Sequence, residues 1–593
     1  MEKFINFAKK YCIAELLLIF AVSAFLFFLF YGKQDVYLVD VSREAYIPWQ
    51  VLKGQVLYKD IFNVYGPLGY QINAVLYFLF DINLNTLYFA GFINSLVILF
   101  TVFHTVKLFA DKKTSLAVTG LVMFVCVYAR NFFNFIFTYS YNAVYALSGF
   151  LLSLFFALLY IKEKKTKNLV LAFLFAGFSF ANKIEDLPYF CFLFLMLPFW
   201  LKKDWKKYLY ATAAFFLFPV LSFGILMIQG AGFSDFFNAA VLIKKLVNAP
   251  ATTYFYYAYG LYFNPQIVKM VFFMMLKAIK ILWMPFLVLF VFNFISFKYI
   301  ANKFLKYSVT ALSLIFSIYV VFKTFPVMEK YYHSIFCWIG LACLAILAIL
   351  GTYLGCQLLC RKIKVTEIKL NDKMFLFLLL SALSVSLKGL FDVVITCYGT
   401  FTLTAMIMPF IIFLIVYIPC RMPEALNQAW RSSVLYFCIM AMAACLFFNV
   451  YRVVTSNNYT VNTPRGMITI RDVYPSQNEL IKYIREKTPE NAKILTMPEG
   501  ATINFLSQRD SDNNYYYLIP VNVEIFGQEN IVENLRKNPP DYILLNDLIY
   551  GVYASKNFCG YAPKVCDFVA KEYKPEISVK GLVSMVLYKK VSK

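Results

Sequence analysis

A run of charged residues at positions 33–66 is the part of the sequence best equipped for chemistry. It includes Asp40, Arg43, Glu44 and Asp60, and it lies between the first long apolar block and the next apolar segment. Charge in such a place is costly unless it is solvated or paired. A carboxylate there can act as a general base, and several carboxylates can hold a divalent cation through hard oxygen ligands. Asp40, Glu44 and Asp60 are therefore candidate catalytic residues.

The same residues also allow a purely structural interpretation. Residues 41–53 are predicted to form one helix that lies on the membrane, with Pro48 as a break or kink. Asp40 stands at the start of this helix, where an aspartate is a favourable N-cap. On this interpretation Arg43 and Glu44 point in different directions, and the remaining charges are solvated among lipid headgroups. The residue types alone leave both interpretations open.

The elements that must position these residues are apolar. The chain has 593 residues, of which 61% are hydrophobic and 15% are charged, whereas soluble proteins are roughly 45–50% apolar and about 25% charged. The surplus falls in blocks long enough to cross a hydrocarbon core of about 30 Å, and such blocks must be helices to satisfy their backbone hydrogen bonds. We predict a mainly α fold, a polytopic transmembrane bundle of about 13 helices with a C-terminal extracytoplasmic α/β domain.

Each predicted spanning helix is an apolar run bounded by polar or basic residues. These runs are 12–32, 86–109, 115–129, 139–161, 169–183, 187–201, 208–229, 268–296, 307–324, 334–357, 374–390, 403–420 and 433–451. A shorter apolar block, 67–80, is predicted to re-enter the membrane or to lie along its surface.

Clusters of lysine and arginine between the apolar runs predict the orientation of the chain. With thirteen spans these clusters all fall on one side, which the positive-inside rule makes cytoplasmic. The loop 33–66 and everything after Tyr451 are then outside, in a multi-pass protein of the bacterial inner (plasma) membrane. The net charge of +23 is explained by these clusters, so we predict membrane lipids as partners and no nucleic acid.

The sequence changes character at Arg452, which divides a transmembrane domain, 1–451, from a soluble outer domain, 452–593. Apolar spacing in the second domain predicts helices at 476–488 and 527–538. Strands are predicted within KILTMPEG, DYILLND and LVSMVLYKK. Cys559 and Cys566 lie in this domain, and they are compatible with a disulfide on the outer face of a membrane or with two free thiols.

The first loop is similar to that of the GT-C superfamily of integral membrane glycosyltransferases. The branch it resembles contains the protein O-mannosyltransferases and the lipid A aminoarabinose transferases. The shared features are an acidic residue after one helix, a Gly-x-x-Leu-Tyr-x-Asp run, a Gly-Pro-Leu run and an apolar helix. They correspond here to Asp40, Gly54 to Asp60, Gly66 to Leu68 and Tyr70 to Phe80. Tyr139-Ser140-Tyr141 and Asn182-Lys183-Ile184-Glu185 add to the likeness, and the many-helix architecture extends it over most of the chain.

The resemblance implies an inverting sugar transfer at the outer face, from a polyprenyl-phosphate donor to a lipid, glycan or protein acceptor. Asp40 is then the general base, with Glu44 and Asp60 as alternatives. The candidate substrate- and phosphate-binding residues are Arg43, Tyr65, Lys183, Lys330, His333 and Lys388. Structural interpretations stay open for several of them: Lys183 can pair with Glu185 at the interface, Lys388 can snorkel, and the loop with Lys330 and His333 can belong to an aromatic belt. The chain contains two histidines and no paired Cys/His spacing, so no zinc site is predicted. No cofactor is certain, and a divalent cation held by carboxylates is possible.

Two departures leave the subfamily open. Gly66 stands where aminoarabinose transferases carry a lysine, and Val41 follows Asp40 where protein O-mannosyltransferases carry Asp-Glu. The alternative function is a transporter or flippase of lipid-linked sugars, with Lys183, Glu185 and similar intramembrane charges along a path. The absence of an evident inverted repeat and the compact charged first loop favour the enzyme.

Overall fold

Helices dominate the chain as far as Thr455, and two small sheets follow. The computed structural model describes residues 12–34, 38–129, 134–202, 204–252, 265–320, 343, 345–353, 369–391, 399–455, 458–471, 475–511, 516–550, 556–581 and 583–591. Within these ranges the helices up to Thr455 are α1 Ile13–Leu29, α2 Val41–Leu52, α3 Leu68–Phe80, α4 Leu84–Lys107, α5 Lys112–Val122, α6 Tyr141–Glu163, α7 Thr166–Asn182, α8 Leu187–Leu201, α9 Trp205–Ile228, α10 Phe233–Asn248, α11 Pro265–Tyr299, α12 Lys303–Val320, α13 Leu370–Phe391, α14 Gly399–Ile412 and α15 Glu424–Thr455.

The predicted spans agree with these helices. Described helical residues overlap every predicted span; of the span 334–357 only 343 and 345–353 are described, and all of them are helical. In the described part of the chain, six helices are long and apolar enough to cross a membrane. The mainly α, multi-pass class is therefore confirmed, and the count of thirteen stays a prediction. The block 67–80 forms α3, as predicted, while α10 lies in a stretch for which we predicted no helix.

The C-terminal region, which comprises the described residues after α15, contains the remaining helices and all but one of the described strands. The strands are β1 Lys33–Gln34, β2 Asn458–Thr463, β3 Gly466–Arg471, β4 Ile494–Met497, β5 Tyr542–Asn546, β6 Tyr573–Val579 and β7 Met585–Lys590. The helices are α16 Pro475–Lys487, α17 Ala501–Ser507, α18 Pro520–Phe526, α19 Gln528–Lys537, α20 Phe558–Tyr561 and α21 Pro563–Glu572. The predicted helices at 476–488 and 527–538 and the three predicted strands are confirmed.

The two sheets have different roles. The first has the order β1-β3-β2, and it joins the chain just after α1 to the C-terminal region through a parallel pair of β1 and β3. The second has the order β4-β5-β7-β6, in which β4 and β5 are parallel and the other pairs are antiparallel. Parallel strands place their carboxyl ends at the same edge, where α/β proteins usually bind ligands.

A separate apolar cluster packs against the second sheet, and we call it the distal core. Its buried members are Leu495, Met497, Leu518, Val523, Ile531, Leu535, Ile543, Phe558, Ala562, Val565, Phe568, Val569 and Tyr573. Cys559 and Cys566 form a disulfide beside it, with a Cα–Cα distance of 5.5 Å. The disulfide is therefore the correct one of the two alternatives that the sequence left open.

The helix at 41–53 forms, but its predicted surroundings are wrong. α2 runs through Pro48 without a break, and every residue from Val41 to Gln50 is buried. α17 of the C-terminal region packs on α2, where Trp49 meets Phe505 in an edge-to-face contact. Because α17 covers this side of the helix, α2 is an internal element, and its charged side chains are not solvated among headgroups.

Candidate active site

Asp40 occupies the turn that leads into α2. Its φ and ψ are 56° and −58°, and the N–H of Val41 donates to the carbonyl of Val39 at 2.5 Å. The carboxylate makes no capping hydrogen bond with α2, so the N-cap interpretation is wrong. Its Oδ1 instead accepts a hydrogen bond from Nη1 of Arg43 at 2.8 Å, and 34% of the side chain stays exposed. Asp40 is thus a part-exposed carboxylate fixed by a cation.

Arg43 connects Asp40 to the rest of the site. Its Nε donates to Oε1 of Glu44 at 3.2 Å, and its Nη2 donates to the carbonyl of Tyr139 at 3.1 Å and to the hydroxyl of Tyr65 at 3.3 Å. Arg43 and Glu44 therefore touch, which corrects the prediction that they point in different directions. Burial opposes the positive charge, but Tyr65, Asp40 and Glu44 hold the pKa of Arg43 well above its usual value. The guanidinium stays cationic.

Glu44 is completely buried. Its Oε2 accepts the N–H of Tyr141, the first residue of α6, at 2.7 Å, and its Oε1 accepts the hydroxyl of Tyr70 at 3.2 Å. A carboxylate at a helix N-terminus satisfies a free backbone donor and complements the helix dipole. Burial raises the pKa of Glu44 to about 7, against the opposing effects of Arg43 and the Tyr141 N–H. Glu44 has no exposed surface, and its hydrogen bond to Tyr141 connects α2 to α6.

Asp60 is used locally. Its Oδ2 accepts the N–H of Val56 at 2.8 Å, and its own N–H donates to the carbonyl of Val56, also at 2.8 Å. Within the described ranges, no contact joins Asp60 to Asp40 or Glu44. The structure therefore brings two of the three predicted catalytic carboxylates together through Arg43, and it places the third in a turn of its own.

Lys183 is the second cation near Asp40. Its Nζ lies 3.2 Å from Oε2 of Glu185 and 3.4 Å from the hydroxyl of Tyr139. The same nitrogen is 5.8 Å from the ring centre of Tyr65 and 6.0 Å from that of Tyr139. Arg43 lies 5.0 Å and 5.9 Å from these two ring centres. Arg43 and Lys183 thus flank the same pair of tyrosines, an arrangement favoured by the negative faces of the rings.

Gly66 explains how Tyr65 reaches Lys183. The N–H of Gly66 donates to the carbonyl of Asn182 at 3.0 Å. A Cβ atom at Gly66 would lie only 2.1 Å from the carbonyl oxygen of Ala181. The first loop can therefore press against the end of α7 only because this residue has no side chain, and a lysine at this position would push the two segments apart.

One residue of the site was missed by sequence reasoning. Glu499 follows β4 in the C-terminal region and is 4% exposed. Its Oε1 accepts the N–H of Asp40 at 2.6 Å, and its Oε2 accepts the hydroxyl of Tyr550 at 2.9 Å. Burial and the neighbouring charge of Asp40 raise the pKa of Glu499. The available signal was its position just beyond the carboxyl end of a predicted strand.

We call these residues the charged cluster. Its members are Asp40, Arg43, Glu44, Lys183 and Glu499, together with the rings of Tyr65 and Tyr139. Lys330 and His333 lie outside the described residues, and Lys388 lies in α13 with its side chain outside the described part. In the described part of the chain, no group of three or more His, Cys, Asp or Glu residues could hold a metal ion. A role for a divalent cation therefore stays a prediction.

Comparisons with known proteins identify the fold. No family model matches the chain, and no curated protein matches it either. Among solved structures, the apo oligosaccharyltransferase of Archaeoglobus fulgidus is similar, with a TM-score of 0.50 and 12% identity, covering 99% of this chain and 75% of that protein. ArnT of Cupriavidus metallidurans bound to undecaprenyl phosphate is similar at a TM-score of 0.42 and 12% identity, covering 97% and 98% of the two chains. The likeness to the oligosaccharyltransferase extends over nearly the whole of this chain and shows a shared fold.

Proposed function

We propose that this protein is a membrane glycosyltransferase in which Asp40 acts as the general base. It would move a sugar, with inversion, from a polyprenyl-phosphate donor to a hydroxyl or amine acceptor at the outer face of the membrane. The observation that carries the proposal is a part-exposed Asp40 carboxylate held by buried Arg43, with Lys183 on the other side of the same two tyrosines. The GT-C fold supports this class of reaction.

The chemistry follows from the residue types. Asp40 accepts the proton of the acceptor as its oxygen or nitrogen forms a bond to the anomeric carbon. The bond between that carbon and the phosphate oxygen breaks, and the phosphate leaves with the electron pair. Arg43 and Lys183 stabilise the negative charge that develops on the leaving oxygen. Attack opposite to the leaving group inverts the anomeric centre.

Two features support an outer location for this site. The direct contact between Asp40 and Glu499 requires an even number of membrane crossings between them, and the predicted topology provides this. The disulfide between Cys559 and Cys566 is typical of an oxidising compartment. With the basic clusters on the opposite side, both features agree with an extracytoplasmic first loop and C-terminal region.

A transfer assay with the purified full-length protein in detergent tests the proposal. We expect release of polyprenyl phosphate and transfer of the sugar when a panel of polyprenyl-phosphate sugars is offered with lipid, glycan and peptide acceptors. A flippase needs two compartments, whereas a transferase works in detergent. Movement of the lipid-linked sugar across vesicle membranes, without transfer in any detergent assay, would favour the flippase and overturn the proposal.

A further inference from the structure

The backbone at Asp40 is strained. Its positive φ and negative ψ, with a hydrogen bond from Val41 to Val39, form a γ-turn of the rare kind. This conformation is unfavourable for a residue with a Cβ atom, and it persists only where the surroundings impose it. The N–H of Asp40 takes no part in the turn, and it points to Oε1 of Glu499 at 2.6 Å.

Glu499 is itself firmly held by the second sheet. The side chain of Asn546, the last residue of β5, donates to the carbonyl of Glu499 at 2.7 Å. The hydroxyl of Tyr550 fixes the second carboxylate oxygen. Gly500 has a φ of 136°, and a Cβ atom there would come within 3.0 Å of Cγ2 of Thr496. These contacts hold the loop after β4 in a conformation in which the carboxylate of Glu499 faces the first loop.

We propose that Glu499 is a positioning residue for Asp40, and that the C-terminal region thereby sets the working conformation of the base. This inference rests on the proposed function, because it concerns the base of that reaction. When the acceptor oxygen is removed, the N–H of Asp40 loses its partner and the γ-turn relaxes toward ordinary backbone angles. The carboxylate then points elsewhere, and misplacement of a reacting group by about 1 Å can cost roughly a hundredfold in rate.

The geometry separates positioning from direct catalysis. Both oxygens of Glu499 are occupied, one by Asp40 and one by Tyr550, and the residue is almost completely buried. Asp40, in contrast, keeps a third of its side chain exposed. Glu499 therefore acts through its hydrogen bond to the backbone of Asp40, and a variant that keeps the acceptor should keep the effect. A glutamine keeps it, because its carbonyl can accept from Asp40 while its amide donates to the oxygen of Tyr550.

The experiment measures hydrogen exchange and turnover in the full-length protein in detergent. In E499L, we expect the amide of Asp40, followed in a peptide that starts at residue 38, to exchange roughly tenfold faster or more than in the wild type. Its kcat should fall roughly 10- to 100-fold with little change in the KM for the donor. E499Q should restore most of the protection and most of the rate. E486Q, at an exposed position on α16, is the matched control and should behave as the wild type.

Three results would overturn the proposal. The first is wild-type protection of the Asp40 amide in E499L, and the second is a rate in E499Q as low as in E499L. If E499L fails to fold, G500A takes its place: it keeps the carboxylate but strains the loop, and it should weaken protection at Asp40. Unchanged protection in a folded G500A protein is the third contrary result. If no protein, including the wild type, transfers sugar, the exchange data still decide whether Glu499 positions Asp40, so failure of the two proposals can be distinguished.

Discussion

The charged cluster and the distal core differ in the kind of side chain that they bury. The distal core buries only apolar groups and tyrosine, which gain free energy when they leave water. The charged cluster buries Arg43, Glu44, Lys183 and Glu499. Burial removes water from these charged groups, and the attraction of their partners offsets only part of that free-energy cost. The distal core therefore stabilises the fold. The charged cluster lowers stability, which is expected of a region whose residues take part in catalysis.

The contrast also predicts which property each region controls. A substitution in the distal core should change the free energy of unfolding and leave the rate of the folded protein unchanged. A substitution in the charged cluster that keeps the size of the side chain should change the rate and have a small effect on folding. The predictions below test this separation, from the largest expected effect to the smallest.

The largest effect is expected for D40N. Asparagine keeps the size of the side chain and can still accept from Arg43, but it cannot take a proton, so kcat should fall roughly 10²–10⁴-fold. Turnover of the purified protein under saturating donor is the measurement, with thermal unfolding to show that the fold is intact. D567N, an exposed change on α21, is the control. Near-normal turnover in D40N with a large loss in D60N would identify Asp60 as the base. The charged cluster would then not be the region that controls the rate.

L535A should lower the free energy of unfolding and leave kcat unchanged. Leu535 is fully buried in the distal core, so truncation should lower the free energy of unfolding by about 2–5 kcal/mol. Denaturant unfolding followed through the C-terminal region measures this effect, and kcat should stay at the wild-type value below the transition. K537A, at an exposed position on the same helix, should change neither quantity. A tenfold lower kcat in folded L535A would show that the two regions are not separable.

K183Q tests the second cation. Removal of one charge from a phosphate site should raise the KM for the polyprenyl-phosphate donor roughly tenfold, because one charge-assisted contact is lost. The measurement is a donor titration at fixed acceptor concentration. K207Q is the control, since Lys207 is also paired with a nearby carboxylate, that of Asp204, but lies outside the charged cluster. An unchanged KM in K183Q would mean that this lysine serves only its ion pair.

The smallest effect concerns pH. Burial raises the pKa of Glu44 from 4.5 to about 7, so between these values the folded protein binds more protons than the unfolded chain. The contribution of Glu44 to stability should therefore be greatest below about pH 4.5 and be lost as the pH rises to about 7, by at most about 1.4 kcal/mol per pH unit. Thermal unfolding of wild type and E44Q over this range measures the effect, and E44Q should have a flatter profile. A wild-type profile that rises with pH would contradict this assignment.

The comparison also explains what could be predicted from the sequence. α2 and the strands of the C-terminal region follow from local spacing of apolar residues, and β5 was recognisable from DYILLND alone. The burial of α2 was not predictable in this way, because it depends on α17, which lies more than four hundred residues later in the chain. α10 was missed although Phe233 and Phe237 have helical spacing, because its polar residues resembled a loop.

The candidate site was predictable to the same extent. Asp40, Arg43 and Lys183 were found because they lie in or near a recognisable motif, and their proximity then follows from the fold. The contact between Arg43 and Glu44 was missed because neighbouring residues on a helix normally diverge. The hydrogen bond between Asp40 and Glu499 could not be predicted, because nothing in the sequence pattern of either segment indicates that the two segments meet.

The pairing of β1 with β3 has a consequence for the order of events during synthesis. Lys33 is opposite Thr469 in this sheet, so the first loop is made long before the strand that it needs. Until the C-terminal region has been made, α2 lacks the cover of α17, and its partners are the transmembrane elements that Glu44 and Arg43 contact. The site is therefore completed only after β4 and Glu499 have been made, and a chain truncated before β3 would lack both the β1–β3 pairing and the contact of Glu499 with Asp40.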